Sequence, residues 1–462
     1  MPAAFTLIPE NAKRNDLMNT NLINPNAGIR VSSSPGQKTG ILDVLAFLVG
    51  LFSAYYLSVI GQVYLAELIL PFTIPLVWRY KKYLLLTKET KWLVFSGGLW
   101  LFAQIVTDLI RATPLADSLR GWALIGVFLL DWLALYLLLT PHSSTPNPRR
   151  ILIGLSGFAL GGVLQPVLQP DSYFLIDSWK FGFGQPLTLL LLIIGCVWAG
   201  RNIYRHVMWA LVLGWVGIFS IYKDFRSLGG VTLLTAFVSF LLPLVFSYAR
   251  SKRLKAWNLA VTGLIMFAIT WGILSGYTYA AQKGWLGDTS RVRSQIRSAS
   301  IAKLIISGRS DFLPALYAIR DSPFLGYGSW ARDPEYRSYL YDLVRLGYVD
   351  VSESARIDYL VTSSDIIPAH SHILQAWVWS GVLGVLFWVV VLVIIVRAII
   401  KTITSPSRLF PLVVFVSILS IWNLLFSPFG SIMRLQWAYF LVIWLYVINS
   451  GRPSSQKSLS PQ

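Results

Sequence analysis

"AHSHILQAWVWSGVLGVLFWVVVLVIIV", Ala369 to Val396, sets two histidines at the mouth of an apolar run that meets no charged side chain until Arg397. A run of that length can cross the hydrocarbon of a bilayer as one helix. The same signature recurs along the chain and decides the fold class. The 462 residues are 55% hydrophobic and only 13% charged, about half the charge of an ordinary soluble domain. Ten-residue segments of alternating polarity, the mark of an outer-membrane barrel, do not occur. The expected fold is all-α and polytopic.

Twelve helices are expected, at 41–60, 64–77, 92–110, 122–140, 151–167, 186–200, 207–222, 231–248, 257–275, 372–399, 410–426 and 432–448. Nine of them fall in 41–276 and three in 370–449. Residues 1–40 and 450–462 are polar tails, both expected in the cytoplasm. The first tail lacks the early apolar core of a signal peptide. Cys196 is the single cysteine, so no disulfide forms within the chain. A net charge of +18 on a soluble protein would suggest nucleic acid. Here the basic residues gather in alternate connections, as the positive-inside rule requires, and no nucleic-acid partner is implied. Lys81, Lys82, Lys88, Arg149, Arg150, Arg201, Arg205, Arg250, Lys252, Arg397 and Lys401 fall on one side. Only Arg111, Arg120, Lys180, Lys223, Arg226 and Arg434 are expected in the short loops of the other.

One connection is long. Residues 277–369 form a polar loop, expected outside, with eleven basic and ten acidic residues. Loops of such length are usually functional. Within it, "DFLPALYAIRDSPFLGYGSW" reads as a short amphipathic helix with Phe312, Leu316 and Ile319 on one face, stopped by Pro323 and turned by Gly326 and Gly328. Transport would favour short loops and internal repeats with polar groups at the midplane. Neither repeats nor such a distribution is evident, and a lipid-linked glycan flippase is the alternative from that class.

Of four histidines, His142 and His206 fall on the cytoplasmic side of this topology, and His370 and His372 fall outside. The outer pair is open to two readings: a helix cap or hydrogen-bonded structural pair, or a general base, because imidazole titrates near neutral pH. A metal centre is not expected, since the pair is spaced poorly for two ligands on one helical face and no further Cys/His ligands accompany it. Arg309, in "IISGRSDF", and Arg226, in "IYKDFRSLGG", carry the planar fork that suits phosphate. Each has a plainer reading, as a partner of Asp311 for Arg309 and as a partner of Asp224 or a snorkelling cation for Arg226. Arg291, Arg293 and Arg297 read as a solvated or headgroup-facing run. Asp108 and Asp131 lie within apolar runs; Asp108 sits three residues before Arg111 and reads as its helix partner, while Glu67 has no such neighbour. No DxD, Gly-rich phosphate loop or GxSxG elbow is present.

In order along the chain, "DFRSLGG", "SGRSDFLPALYAIRDSPFLGYG" and "AHSHILQAWVWSGVLG" resemble the motifs of the O-antigen ligase and polymerase superfamily, bacterial inner-membrane glycosyltransferases with a GT-C-like fold. The likeness covers roughly 222–384. Asp224 and Phe225 precede the first arginine where that family usually has a serine. The resemblance implies a metal-independent, inverting transferase without cofactors. Its donor is a polyprenyl-pyrophosphate-linked oligosaccharide, its acceptor a glycan or lipid hydroxyl on the outer face of the membrane. It aligns His370 as the base, with His372 a neighbour that caps or hydrates it, and Arg226 and Arg309 on the pyrophosphate. Polymerisation of a surface polysaccharide is favoured, with ligation to lipid A-core the alternative and a chain-length regulator protein a candidate partner.

Overall fold

The computed structural model describes residues 40–58, 61–141, 147–170, 172–199, 203–223, 225–249, 312–345, 365–405 and 407–450, with scattered positions between 268 and 285. Most of the expected ninth helix, together with Arg309 and Asp311, lies outside these residues.

The chain is a helical bundle. Its first half runs α1 (Ile41–Phe52), α2 (Leu65–Lys81), α3 (Lys88–Ile110), α4 (Leu115–Leu139), α5 (Arg149–Leu168), a short α6 (Ser172–Ile176), α7 (Gly184–Ala199), α8 (Ile203–Tyr222) and α9 (Arg226–Ala249). Among the described residues three short helices follow, α10 (Phe312–Asp321), α11 (Pro334–Ser338) and α12 (Leu340–Arg345), then α13 (His372–Thr404), α14 (Phe410–Phe426) and α15 (Ser431–Asn449). Each expected helix other than the ninth has a counterpart. Among the described residues, six helical stretches are long and apolar enough to cross a membrane: α3, α4, α5, Trp179–Trp198, α13 and α15.

The structure corrects one end of the apolar reading. The first helix stops at Phe52, and Tyr56–Ser58 pairs antiparallel with Gln62–Tyr64 across a turn whose Gly61 has φ +98. Apolar residues continue through 60, so composition alone hides the stop. Tyr64 then caps α2, its amide donating to the Glu67 carboxylate at 2.9 Å.

Close contact replaces hydrophobic driving force between helices in lipid. Helices α1 and α5 meet through Gly50, Gly154, Gly157 and Gly161, and a Cβ on Gly157 would run into the Phe47 carbonyl. Helix α15 is the most enclosed span, with 78% of its apolar window buried against 39% in α13. That enclosure is why α15 tolerates Arg434 and Gln436 in its first turns.

Polar contacts sort the helix ends into two sets. At one end Lys81 donates to the carbonyls of Leu137 at 2.6 Å and Leu138 at 3.2 Å, and also to that of Thr140. These are acceptors that the last turn of α4 leaves unpaired. Arg150 meets Asp43 at 2.8 Å, and Arg397 meets Glu89 at 2.8 Å, at this same end. At the other end lie the Glu67–Arg434 pair and α10 to α12. Replacing Lys81 with Met is expected to strip those carbonyls of their donor and cost about 2 kcal/mol, read as a lower melting temperature in nanodiscs.

Candidate functional site

The two sequence motifs in 312–330 and 369–384 form one unit. Helix α13 is broken at Ser380 and Gly381, whose φ values are −131 and +64. A break leaves carbonyls without helical donors. Here the loop supplies them: Tyr327 N donates to Val378 O at 2.7 Å and Gly328 N to Trp379 O at 2.9 Å. In return Val382 N donates to Pro323 O at 3.1 Å, and Trp377 Nε1 donates to the same oxygen at 2.8 Å. The turn is thus spliced into the helix. Glycine is required on both faces of the splice. A Cβ on Gly381 would strike the Phe324 carbonyl, and one on Gly326 would come within 2.8 Å of Val378 O.

Helix α3 grips the other side of the turn with one polar stripe. Thr107 donates to Leu325 O at 2.7 Å, and Arg111 donates to Gly326 O at 2.9 Å and Ser322 Oγ at 2.8 Å. Asp108 accepts from Ser329 N at 2.6 Å, Ser329 Oγ at 2.7 Å and Trp122 Nε1 at 2.8 Å. The expected local pair of Asp108 with Arg111 is therefore corrected. Both reach across to the loop instead, because helix neighbours at i, i+3 can share a third element as easily as each other. The face expected for α10 is also corrected in part: Ala315, Ala318 and Ile319 are buried, Phe312 is half-buried, and Leu316 is 51% exposed.

His370 follows immediately. Upstream, Asp333 N donates to Asp365 O and Ile367 N to Ala331 O, both at 2.8 Å. Downstream, Ser371 caps α13, accepting from Leu374 N at 3.2 Å, and its hydroxyl donates to Leu424 O at 2.8 Å. His370 is exposed between these two fixed points. Its neighbour lies elsewhere: His372 is fully buried, with Nδ1 2.6 Å from Ser427 O and Nε2 accepting from Trp437 Nε1 at 2.7 Å. That arrangement fixes a neutral tautomer, with Nδ1 donating and the Nε2 lone pair occupied. Trp388, Phe429 and Trp437 enclose the ring. His372 neither caps nor hydrates His370; the cap is Ser371, and His372 braces α13 against α14 and α15.

Arg226 opens α9 and is half-buried. Glu67, which has no sequence neighbour of opposite charge, meets Arg434 through both carboxylate oxygens at 2.7 and 2.9 Å, and Arg434 also donates to Gln62 O at 2.8 Å. The partner stands 367 positions away, beyond any local pattern. On the loop surface, hydrogen bonds from Arg320 and Tyr336 hold the Asp321 carboxyl below the usual carboxylate range. Compared with protein-family models and with curated proteins, the chain finds no match in either, and the site rests on its own geometry and on the motifs that it joins.

Proposed function

We propose that the chain is a membrane glycosyltransferase that moves glycan from a polyprenyl-pyrophosphate carrier to an acceptor hydroxyl on the outer face of a bacterial inner membrane, as a surface-polysaccharide polymerase. The observation that carries this reading is the splice. It joins the Pro-x-x-Gly-x-Gly turn to the histidine-led helix, two stretches far apart in sequence, and leaves an exposed imidazole beside them. In this reading twelve spans cross the bilayer, and the end bearing α10 to α12 is outside.

His370 takes the proton from the acceptor hydroxyl as its oxygen attacks the anomeric carbon. The bond from that carbon to the pyrophosphate oxygen breaks with inversion, and the lipid pyrophosphate leaves carrying the bond pair. Arg226 and Arg309 meet the growing charge with guanidinium forks, which serve without a metal. Activity is therefore expected to survive EDTA, and Arg309→Lys is expected to lower turnover although it keeps the charge, because lysine lacks the fork. Loss of activity that magnesium or manganese restores would sink the metal-free mechanism.

The deciding experiment incubates the purified full chain in nanodiscs with a lipid-linked oligosaccharide and analyses the products on gels. A ladder of products supports polymerisation. One-step transfer to added lipid A-core makes the chain a ligase. No new glycosidic bond in nanodiscs, together with movement of the donor across the bilayer of sealed proteoliposomes, overturns the transferase reading in favour of a flippase. Orientation is tested separately by placing a cysteine at Phe324, which is 79% exposed. An impermeant maleimide is expected to label it in intact cells stripped of any outer barrier, and labelling only after lysis would reverse the topology.

A further inference from the structure

Beyond the splice, the outer segment carries a connected series of rings and planar charges at the edge of the core that the transfer step does not use. Tyr317 of α10 packs against Tyr339, the residue joining α11 and α12, with ring centroids 4.4 Å apart. The Arg320 guanidinium lies over Tyr317 at 5.1 Å and donates to Asp321 Oδ1 at 2.9 Å. Asp321 Oδ2 accepts from Tyr336 at 2.9 Å, and Tyr339 donates to Glu335 at 3.2 Å. The side chains of Arg320 and Asp321 are 65% and 36% exposed. Tyr317 and Tyr339 are half-buried, so neither is sealed from water. Only Tyr336 is buried.

An aromatic cluster that served packing alone would have its rings covered and its charges at the rim. This one alternates π-faces with a carboxylate and a guanidinium on an open surface. Aromatic rings present apolar area at low entropic cost with a polar edge. Sugar rings answer with the complementary chemistry, an apolar face of C–H groups and a rim of vicinal hydroxyls that planar carboxylates and guanidiniums can hold in pairs. Position agrees. Arg337, next to Tyr336, donates to Ile366 O at 3.2 Å. Ile366 is four residues before His370, a reach of at most roughly 14 Å of chain, which a short oligosaccharide can span.

We propose that Tyr317, Arg320, Asp321 and Tyr339 form a glycan subsite that holds the sugar chain of the substrate beside His370, stacking rings on the tyrosines and binding hydroxyls through Asp321 and Arg320. This rests on the transferase reading above and adds to it where the saccharide, as opposed to the pyrophosphate, is recognised. The carboxylate must be ionised to accept hydroxyl protons, and its hydrogen bonds from Arg320 and Tyr336 keep it so.

The test measures transfer kinetics of the full chain in nanodiscs with lipid-linked oligosaccharide extracted from cells that express it, for wild type, Tyr317→Ala, Arg320→Gln and His370→Ala. Tyr317→Ala and Arg320→Gln are each expected to raise KM by about tenfold, with kcat within twofold and an unchanged melting temperature. A donor trimmed to a single sugar is expected to show no difference between wild type and these two variants. Unchanged KM in both variants with the full-length glycan overturns the subsite while leaving the transferase intact. An equal rise in KM with the single-sugar donor also overturns it, since the effect would then lie in the lipid or pyrophosphate. If wild type shows no transfer at all, the transferase reading falls, and quenching of intrinsic fluorescence by the same lipid-linked oligosaccharide decides the subsite. Saturable quenching in wild type that weakens in Tyr317→Ala supports it, and none overturns it.

Discussion

His370→Ala is expected to lower glycosyl transfer by about 100-fold or more, the usual scale of a positioned general base, while the melting temperature stays near that of wild type. The side chain is exposed, and the neighbouring chain is fixed by Ile367 and Ser371, so truncation opens no cavity. Donor binding is expected to change little, because the base acts on the acceptor. His372→Ala should behave in the opposite manner. Its ring fills a fully buried space among Trp388, Phe429 and Trp437, and its loss leaves Ser427 O and Trp437 Nε1 without partners. Cavity and orphaned groups together cost on the order of 3 kcal/mol, visible as a lower melting temperature, with activity falling in proportion to folded protein. The measurement is turnover and thermal stability of both variants in nanodiscs. A folded, fully active His370→Ala would end the catalytic assignment.

Arg434→Ala is expected to be among the most damaging single substitutions in the bundle. It leaves the Glu67 carboxylate, whose side chain is 4% exposed, without its guanidinium. Breaking a buried pair from one side costs about 3–5 kcal/mol. The strain falls on three elements at once, since Arg434 also holds Gln62 O and Glu67 caps α2 through Tyr64 N. Replacing both partners by uncharged residues of similar shape, Glu67→Gln with Arg434→Met, is expected to recover most of that loss, because the desolvation of both charges disappears with their attraction. Melting temperatures of the two single variants and the double variant form the cycle. A double variant no better than Arg434→Ala alone would place the cost in lost packing and not in the stranded charge.

The comparison of Glu67 with the apolar runs shows what the sequence reveals and what it hides. Helix positions were legible because each run carries its own signal, hydropathy sustained over some twenty residues, and the contacts that make a helix are local. Turn residues such as Pro323, Gly326 and Gly328 were legible for the same reason. Partner choice was not. Glu67 answers an arginine at the far end of the chain, Asp108 ignores Arg111 for Ser329, and Leu316 faces outward although its spacing matches Phe312 and Ile319. Each depends on which elements become neighbours, and periodicity carries no information about that. The stop at Phe52 was hidden because a hairpin and a helix end can share one apolar composition. For the site, the pair of histidines was visible, but only burial separates them: one ring is sealed with its lone pair occupied, and the other is exposed.

The spliced turn has a consequence for how the protein is made. During synthesis the segment around Pro323 to Gly328 leaves the ribosome well before α13, and on the proposed topology it crosses the membrane first. When α13 follows, its opening turns cannot settle in lipid by themselves, since the carbonyls at Val378 and Trp379 have no donors within the helix. They must wait in water until the turn swings back and docks. Seating of the outer segment is then the closing step of assembly, after the spans have inserted, and not a decoration on a finished bundle. Chains interrupted between the turn and the histidines should still be able to join from two separately produced pieces, whereas a chain lacking the turn should stall with the first part of α13 open to protease from the outer side.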